Sequence, residues 1–202
     1  MPVTRHIRKG KKKGKRQRWR TSRELARWLV EDHGIELDAA ALPHNRIVDR
    51  FIAPPGFVAV GRDDAPVAVD ALQGGWGQFG RVAFCNPEFS TALAFVVAGV
   101  GSVLSPPRGV PWLRRCVFLL PANPDTRWFR LLVDVGARVG FFASDGTSSG
   151  RIPFEPEDAT VDDSSGAAFP CLLAVLDRGA APRPAGAPFV ADLLDPATGR
   201  SL

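Results

Sequence analysis

Val82-Ala83-Phe84-Cys85-Asn86-Pro87-Glu88-Phe89-Ser90 is the stretch on which the fold turns. Four apolar residues end at a polar amide and a proline, and a helical pattern follows. Leu93, Val96, Val97 and Val100 share one helical face, with Gly99 and Gly101 ending it or packing it closely. Residues 81–85 therefore read as a strand, Asn86-Pro87 as a turn, and Ser90 as the cap of the next helix.

The same order recurs downstream. Cys116-Val117-Phe118-Leu119-Leu120-Pro121 is apolar without alternation, as expected of a strand covered on both faces. Asn123-Pro124 then reads as a cap with proline at the first helical position, and Trp128, Leu132 and Val135 carry a helix to Gly136. Residues 139–142 and 172–176 read as two more strands. Strands alternating with helices predict an α/β domain of three layers around a mainly parallel sheet. In such sheets ligands sit outside the carboxyl ends of the strands.

Upstream, Thr21-Ser22-Arg23-Glu24 has capping-box spacing, and Leu25, Trp28 and Leu29 form a helical stripe that Gly34 stops. Residues 35–41 read as a strand ending in Asp38 and three alanines. Small side chains let a ligand approach the backbone, and a carboxylate can accept from its amine or hydroxyl. Residues 42–80 are irregular, with a possible short strand at 57–60 and an acid beside an apolar pair at Asp70-Ala71-Leu72. Asp38, Asp70 and Asn86-Pro87 all fall at predicted carboxyl ends. Singly, each reads as well as a cap or a turn; their convergence marks a site. Residues 101–111 form a loop long enough for a lid or target-recognition insert, and 145–166 read as a polar hairpin or loop.

The net charge of +5 hides an asymmetry. Arg5, Arg8, Lys9, Lys11, Lys12, Lys13, Lys15, Arg16 and Arg18 crowd the first 18 residues without one acid, leaving 17 basic against 21 acidic residues in the remainder. Residues 1–18 thus form a basic arm with too little to bury to fold alone, suited to phosphate-rich partners and above all nucleic acid. Residues 19–178 form the domain. The Pro/Ala/Gly-rich residues 179–202 are a loosely attached tail. No apolar run approaches a membrane span, and Arg18-Trp19-Arg20 follows the basic start where a signal peptide would be apolar, so a cytoplasmic protein is expected. Cys85, Cys116 and Cys171 lie in or beside apolar runs and read as buried reduced thiols. Neither they nor His6, His33 and His44 have metal-ligand spacing.

The order of these stretches resembles the phage-type DNA N6-adenine methyltransferase family. Its motifs correspond here to Trp19-Arg20-Thr21-Ser22, Leu37-Asp38-Ala39-Ala40, Asp70-Ala71-Leu72 with Trp76, and Asn86-Pro87-Glu88-Phe89-Ser90. Leu119-Leu120-Pro121, Asp125-Thr126-Arg127-Trp128-Phe129 and Phe169-Pro170-Cys171-Leu172 follow in the family's order, so the resemblance spans about residues 19–177. It implies a Rossmann-like methyltransferase domain that takes S-adenosylmethionine as cofactor and an adenine in DNA as substrate.

On that resemblance Asn86 and Pro87 would hold the adenine amine through two carbonyl acceptors, and Phe89 would stack on the base. Asp38 would meet the cofactor's amino-acid part and Asp70 its adenosine part, and Ala39 and Thr21 would also belong to the cofactor site. Lys11, Lys12, Lys13, Lys15, Arg16, Arg18 and Arg127 are the candidate phosphate contacts, while Trp128 and Phe129 read as core. The chain departs from the family pattern at Glu88, where a second proline is usual, at Phe89 in place of tyrosine, and at Ser22 in place of proline. Glu88 and the arm favour one alternative, a catalytically inactive relative that binds nucleic acid or belongs to a virion.

Overall fold

An unbroken apolar strand has to be covered on both faces, and three such runs, within residues 82–85, 116–121 and 171–176, lie side by side in the sheet. The computed structural model describes residues 19–144, 150–152, 154–156, 169–184, 187–195, 199 and 201. Along the chain these form β1 (Trp19–Thr21), α1 (Arg23–His33), β2 (Leu37–Asp38), β3 (Ile52–Ala53), β4 (Ala68–Val69) and β5 (Val82–Cys85). There follow α2 (Ala92–Leu104), β6 (Arg115–Pro121), α3 (Arg127–Asp134), β7 (Arg138–Phe142), β8 (Phe154–Pro156), β9 (Cys171–Asp177) and β10 (Asp192–Leu194). The architecture is α/β.

The main sheet runs β10-β7-β9-β6-β5-β2. Its pairs are parallel except that β9 lies antiparallel between β6 and β7. Beyond β2, the parallel pair β3–β4 continues the sheet through a parallel bridge between Asp38 and Phe51 and the bonds Asp38 N–H to Arg50 carbonyl (2.9 Å) and Ala41 N–H to Ile52 carbonyl (3.3 Å). The carboxyl ends of β2, β4, β5 and β6 consequently share one edge. At the opposite edge Asp177 ties β9 to both neighbours, accepting from Arg115 Nε at 2.6 Å and from Arg138 at 3.2 Å. Burial pushes the Asp177 carboxyl up, but the two guanidinium groups hold it below its usual range.

Alternate residues of the central strands enter two separate cores. Ala83, Cys85, Cys116, Phe118, Leu120, Leu172 and Ala174 pack with Val96, Val100 and Val103 of α2 and with Trp128, Phe129 and Leu132 of α3. Val82, Phe84, Val117, Leu119, Leu173 and Val175 pack with Leu25 and Leu29 of α1. Burying a leucine of this kind is worth roughly 2–3 kcal/mol, so α1 is held by its stripe rather than by its own propensity. The three cysteines are free and buried, and burial pushes their thiols up, that of Cys171 to about 12. No helix among the described residues is long and apolar enough to cross a membrane.

Several local expectations change. The cap of α1 is Ser22, whose Oγ accepts from Leu25 N–H at 3.4 Å, because Thr21 is held in β1 opposite Phe154. Ser90 lies inside a short 3-10 turn, Phe89–Thr91, and α2 starts after Thr91. Thr126, not Asn123, caps α3 by accepting from Phe129 N–H at 3.4 Å. Residues 57–60 are not a strand: Val58 and Val60 are 80% and 98% exposed. The strands of this region are the two-residue β3 and β4, too short to print a periodicity. The helix α2 runs on to Leu104, which shortens the expected loop. Most of the polar segment at 145–166 lies outside the described residues, but Phe154–Pro156 from it pairs antiparallel with β1. The end of the chain is not all loose, since β10 adds a parallel edge strand to β7 and Leu194 is buried.

The approach of α2 to the sheet depends on Gly99, where a Cβ would stand 2.6 Å from Phe118 Cζ and 2.9 Å from Trp76 Cζ3. Both rings are fully buried and have no room to retreat. Gly99→Ala is expected to cost about 1–3 kcal/mol, read as a lower urea midpoint; an unchanged midpoint would contradict this packing.

Candidate active site

The turn after β5 combines an amide, a fixed φ and a buried origin. Val82–Cys85 is buried throughout, so the chain reaches the sheet edge at Asn86, which is half-buried, and Pro87, which is buried. Asn86 Nδ2 donates to Thr21 Oγ1 at 3.3 Å. That bond links two sequence candidates 65 residues apart, and it aims the Asn86 amide by fixing its nitrogen. Among the described residues, nothing donates to Asn86 Oδ1 or to the Pro87 carbonyl. Two neighbouring carbonyl acceptors at the sheet edge thus have no donor among the described residues.

Glu88 is exposed with φ −56° and ψ 131°, inside the range a proline ring imposes. Its carbonyl accepts from both Thr91 N–H and Thr91 Oγ1 at 2.9 Å, which closes the turn without the missing ring. Phe89 is 39% exposed and meets Phe169 edge-on, with ring centroids 4.7 Å apart. Phe169 comes from the far end of the chain because β9 runs antiparallel to β6, pairing Cys171 with Pro121 at the site edge. Phe169 falls within a motif that carried no assigned contact; a large aromatic two residues before an apolar strand was the available signal.

Asp38 ends β2, opposite Phe84 of β5, and is 3% exposed. Its Oδ1 accepts from Ala40 N–H and its Oδ2 from Ile47 N–H, each at 3.2 Å, so the carboxylate fastens both ends of the segment between them. Ala39 is buried and donates its N–H to Phe84 carbonyl at 2.8 Å. Burial raises the Asp38 carboxyl to about 6 in spite of the two amide bonds. Asp70 follows β4 and has φ 64°, the one positive value among described residues other than glycine. Such left-handed conformations cost energy and gather at ligand sites. Its carboxylate accepts from Leu72 N–H (3.1 Å) and Gln73 Nε2 (2.8 Å). Arg127 is exposed at the first turn of α3, again at the carboxyl edge. Trp128 and Phe129 are buried in the core. Lys11, Lys12, Lys13, Lys15, Arg16 and Arg18 lie outside the described residues.

The Asp38 environment has a measurable consequence. A carboxyl raised from 3.8 to about 6 on folding binds its proton more tightly in the folded state, so its contribution is fully present below about pH 4 and is lost as pH rises through 6. The loss is on the order of 2–3 kcal/mol. The unfolding free energy of the parent, less that of Asp38→Asn, is expected to fall across this window in denaturation series at several pH values; a flat difference would refute it.

A family model described as DNA N-6-adenine-methyltransferase (Dam) matches residues 9–186. Among solved structures, the chain is similar to a modification subunit of a putative type I restriction enzyme from Vibrio vulnificus YJ016, with 11% identity and a TM-score of 0.48. That alignment covers 84% of this chain and 46% of the other, so the chain spans less than half of that protein's length. No curated protein matches the sequence. The family model spans most of the chain and every element of the carboxyl edge from Thr21 to Phe169, and the protein belongs to the DNA N-6-adenine-methyltransferase (Dam) family.

Proposed function

We propose that the protein transfers a methyl group from S-adenosylmethionine to the N6 amine of adenine in DNA. Residues 19–178 would form a Rossmann-like, three-layer methyltransferase domain, with residues 1–18 as an electrostatic tether to the DNA backbone. The observation that carries this reading is a pair of acceptors, Asn86 Oδ1 and the Pro87 carbonyl, to which no described residue donates, beside the partly exposed ring of Phe89.

The chemistry asks for such a pair. The N6 lone pair of adenine is delocalised into the ring, which makes the amine a poor nucleophile. Accepting its two hydrogens on two carbonyls favours a pyramidal nitrogen and orients the lone pair. The bound cofactor supplies an electrophilic methyl carbon on a sulfonium sulfur. An N–C bond then forms as the C–S bond breaks, and one N6 proton is released. Phe89 offers the base a stacking face once it has left the duplex, and Phe169 limits how far that ring can swing. Thr21 keeps the Asn86 amide nitrogen turned away from the substrate amine.

The residues of the neighbouring edge fit the cofactor in chemical type. Ala40, half-buried after β2, is a small side chain beside which a ligand can lie, while Ala39 is buried behind it with its N–H engaged by the Phe84 carbonyl. Asp38 acts there by holding the 39–47 segment in place, because both its oxygens are engaged by amides. Asp70 presents a carboxylate from a strained backbone and suits the adenosine part.

The alternative, an inactive nucleic-acid-binding or virion-associated relative, draws on Glu88, whose charge opposes a polyanion. Against it, the backbone at Glu88 keeps proline-compatible torsions, so the substitution changes charge more than turn geometry.

Calorimetry with S-adenosylmethionine and tritiated-methyl transfer to DNA test the reading together; neither binding nor transfer by the parent protein would end it. Asn86→Ala should lower transfer by at least ~100-fold with cofactor affinity nearly intact, and an active variant would remove Asn86 from the clamp. Glu88→Pro should fold and raise transfer at subsaturating DNA; an unchanged rate would clear Glu88 of limiting the enzyme.

A further inference from the structure

The body of the protein carries more acid than base, yet three arginines stand in line at the sheet edge opposite the candidate site. The register of the central strands puts them there. Arg115 of β6 pairs with Val82 of β5 and with Asp177 of β9. One step outward, Arg81, Arg114 and Arg178 therefore lie level on three neighbouring strands. Backbone bonds fix the row: Arg114 N–H donates to the Arg81 carbonyl and Arg178 N–H to the Arg114 carbonyl, each at 2.8 Å. All three residues are exposed.

Like charges placed level on adjacent strands are destabilising, because their Cβ atoms stand only about 5 Å apart. One residue further into the sheet the chain avoids this, since Arg115 faces Asp177, which Arg138 also engages. The row has no such carboxylate. Among the described residues, the side chains of Arg81 and Arg114 make no hydrogen bond or ion pair. Glu36 accepts from the Arg81 amide (2.7 Å) rather than from its guanidinium. Arg178 lies 4.5 Å from the centre of the Trp112 ring, and that tryptophan is itself 43% exposed. The cations are thus held in line by backbone at the cost of mutual repulsion, and a polyanion laid along them would relieve it.

We infer that the row Arg81, Arg114 and Arg178 is a second binding site for the phosphodiester backbone of DNA, separate from the clamp at Asn86-Pro87. Guanidinium forks match phosphate oxygens in geometry. Three strands span about 10 Å, and a DNA strand carries one charge per about 3.4 Å of its axis, so the row faces about three phosphates. A line one cation wide fits a linear polyanion better than a flat charged surface. Between the two edges β6 runs from Arg115 to Pro121, a rise of about 20 Å. DNA with its adenine at the clamp lies against the far edge, so the row takes a different segment. The inference rests on the proposed methyl transfer for that separation, but not for the anion site itself. Backbone contacts of this kind carry no sequence information; they would keep the enzyme on DNA while its clamp changes targets.

The test uses the full chain and a fluorescent duplex of mixed sequence, titrated at several salt concentrations. The double variant Arg81→Gln/Arg114→Gln removes two exposed charges that have no described partner to lose. Each phosphate-neutralising cation removed makes the plot of log K against log salt shallower by about 0.9, so the variant is expected to flatten it by about one to two. The arm is present in both proteins, and the difference reads the row. In a second measurement, duplex fixed to beads should retain a fluorescent second duplex through the parent, and at least about threefold less of it through the variant. An unchanged slope overturns the inference, and so does equal retention. A variant that loses affinity for poly-glutamate but not for DNA overturns it as well, assigning the row to an acidic protein. If the parent transfers no methyl group, the proposed activity fails while a flattened slope and lost retention still uphold the second site.

Discussion

The pairing of β5 with β6 is the constraint on which the remainder of the molecule depends. Apart from Arg115 at the start of β6, both strands are apolar, so neither face can meet water, and each must be covered by other elements. Helix α1 covers one face, and α2 and α3 the other. With both faces filled, polar chemistry is confined to the strand ends. Because β2, β4, β5 and β6 point the same way, their ends deliver Asp38, Asp70, Asn86 and the approach to Arg127 to a single edge.

The antiparallel strand β9 completes that edge from the opposite direction. Its start, not its finish, lies beside the end of β6, which is why Phe169 can pack on Phe89 although 80 residues separate them in sequence. Its finish is secured by Asp177 between two arginines. A slip of one residue in β9 would exchange its two core faces and undo the aromatic contact together, so the site's aromatic wall and the sheet's register are one structural commitment.

Within the edge, rigidity comes from polar bonds that the sequence candidates make with each other and with the backbone. Asp38 spends both oxygens on loop amides, and Thr21 spends its hydroxyl on Asn86. Each holds another group in place. Glu88 makes a related point, because an acidic residue stands where proline is usual, yet the torsions of the turn remain those of proline.

What the sequence determined by itself was the strand–helix alternation, the two central strands and the carboxyl-edge position of Asp38, Asp70 and Asn86-Pro87. Those features are written in local patterns: apolar runs of strand length, helical stripes, and the residues that end them. The two-residue strands β3 and β4 are too brief to leave such a pattern, and β10 lies in a Pro- and Gly-rich stretch that reads as tail. Caps were misassigned by a residue or more because Thr21, Asn123 and Ser90 all have suitable chemistry, and which hydroxyl or amide serves depends on what else competes for it. Only the tertiary structure decided that Thr21 belongs to Asn86 and that Phe169 belongs to Phe89. These are contacts between residues remote in sequence, and they exist only once the sheet order and register have set which strand ends are neighbours.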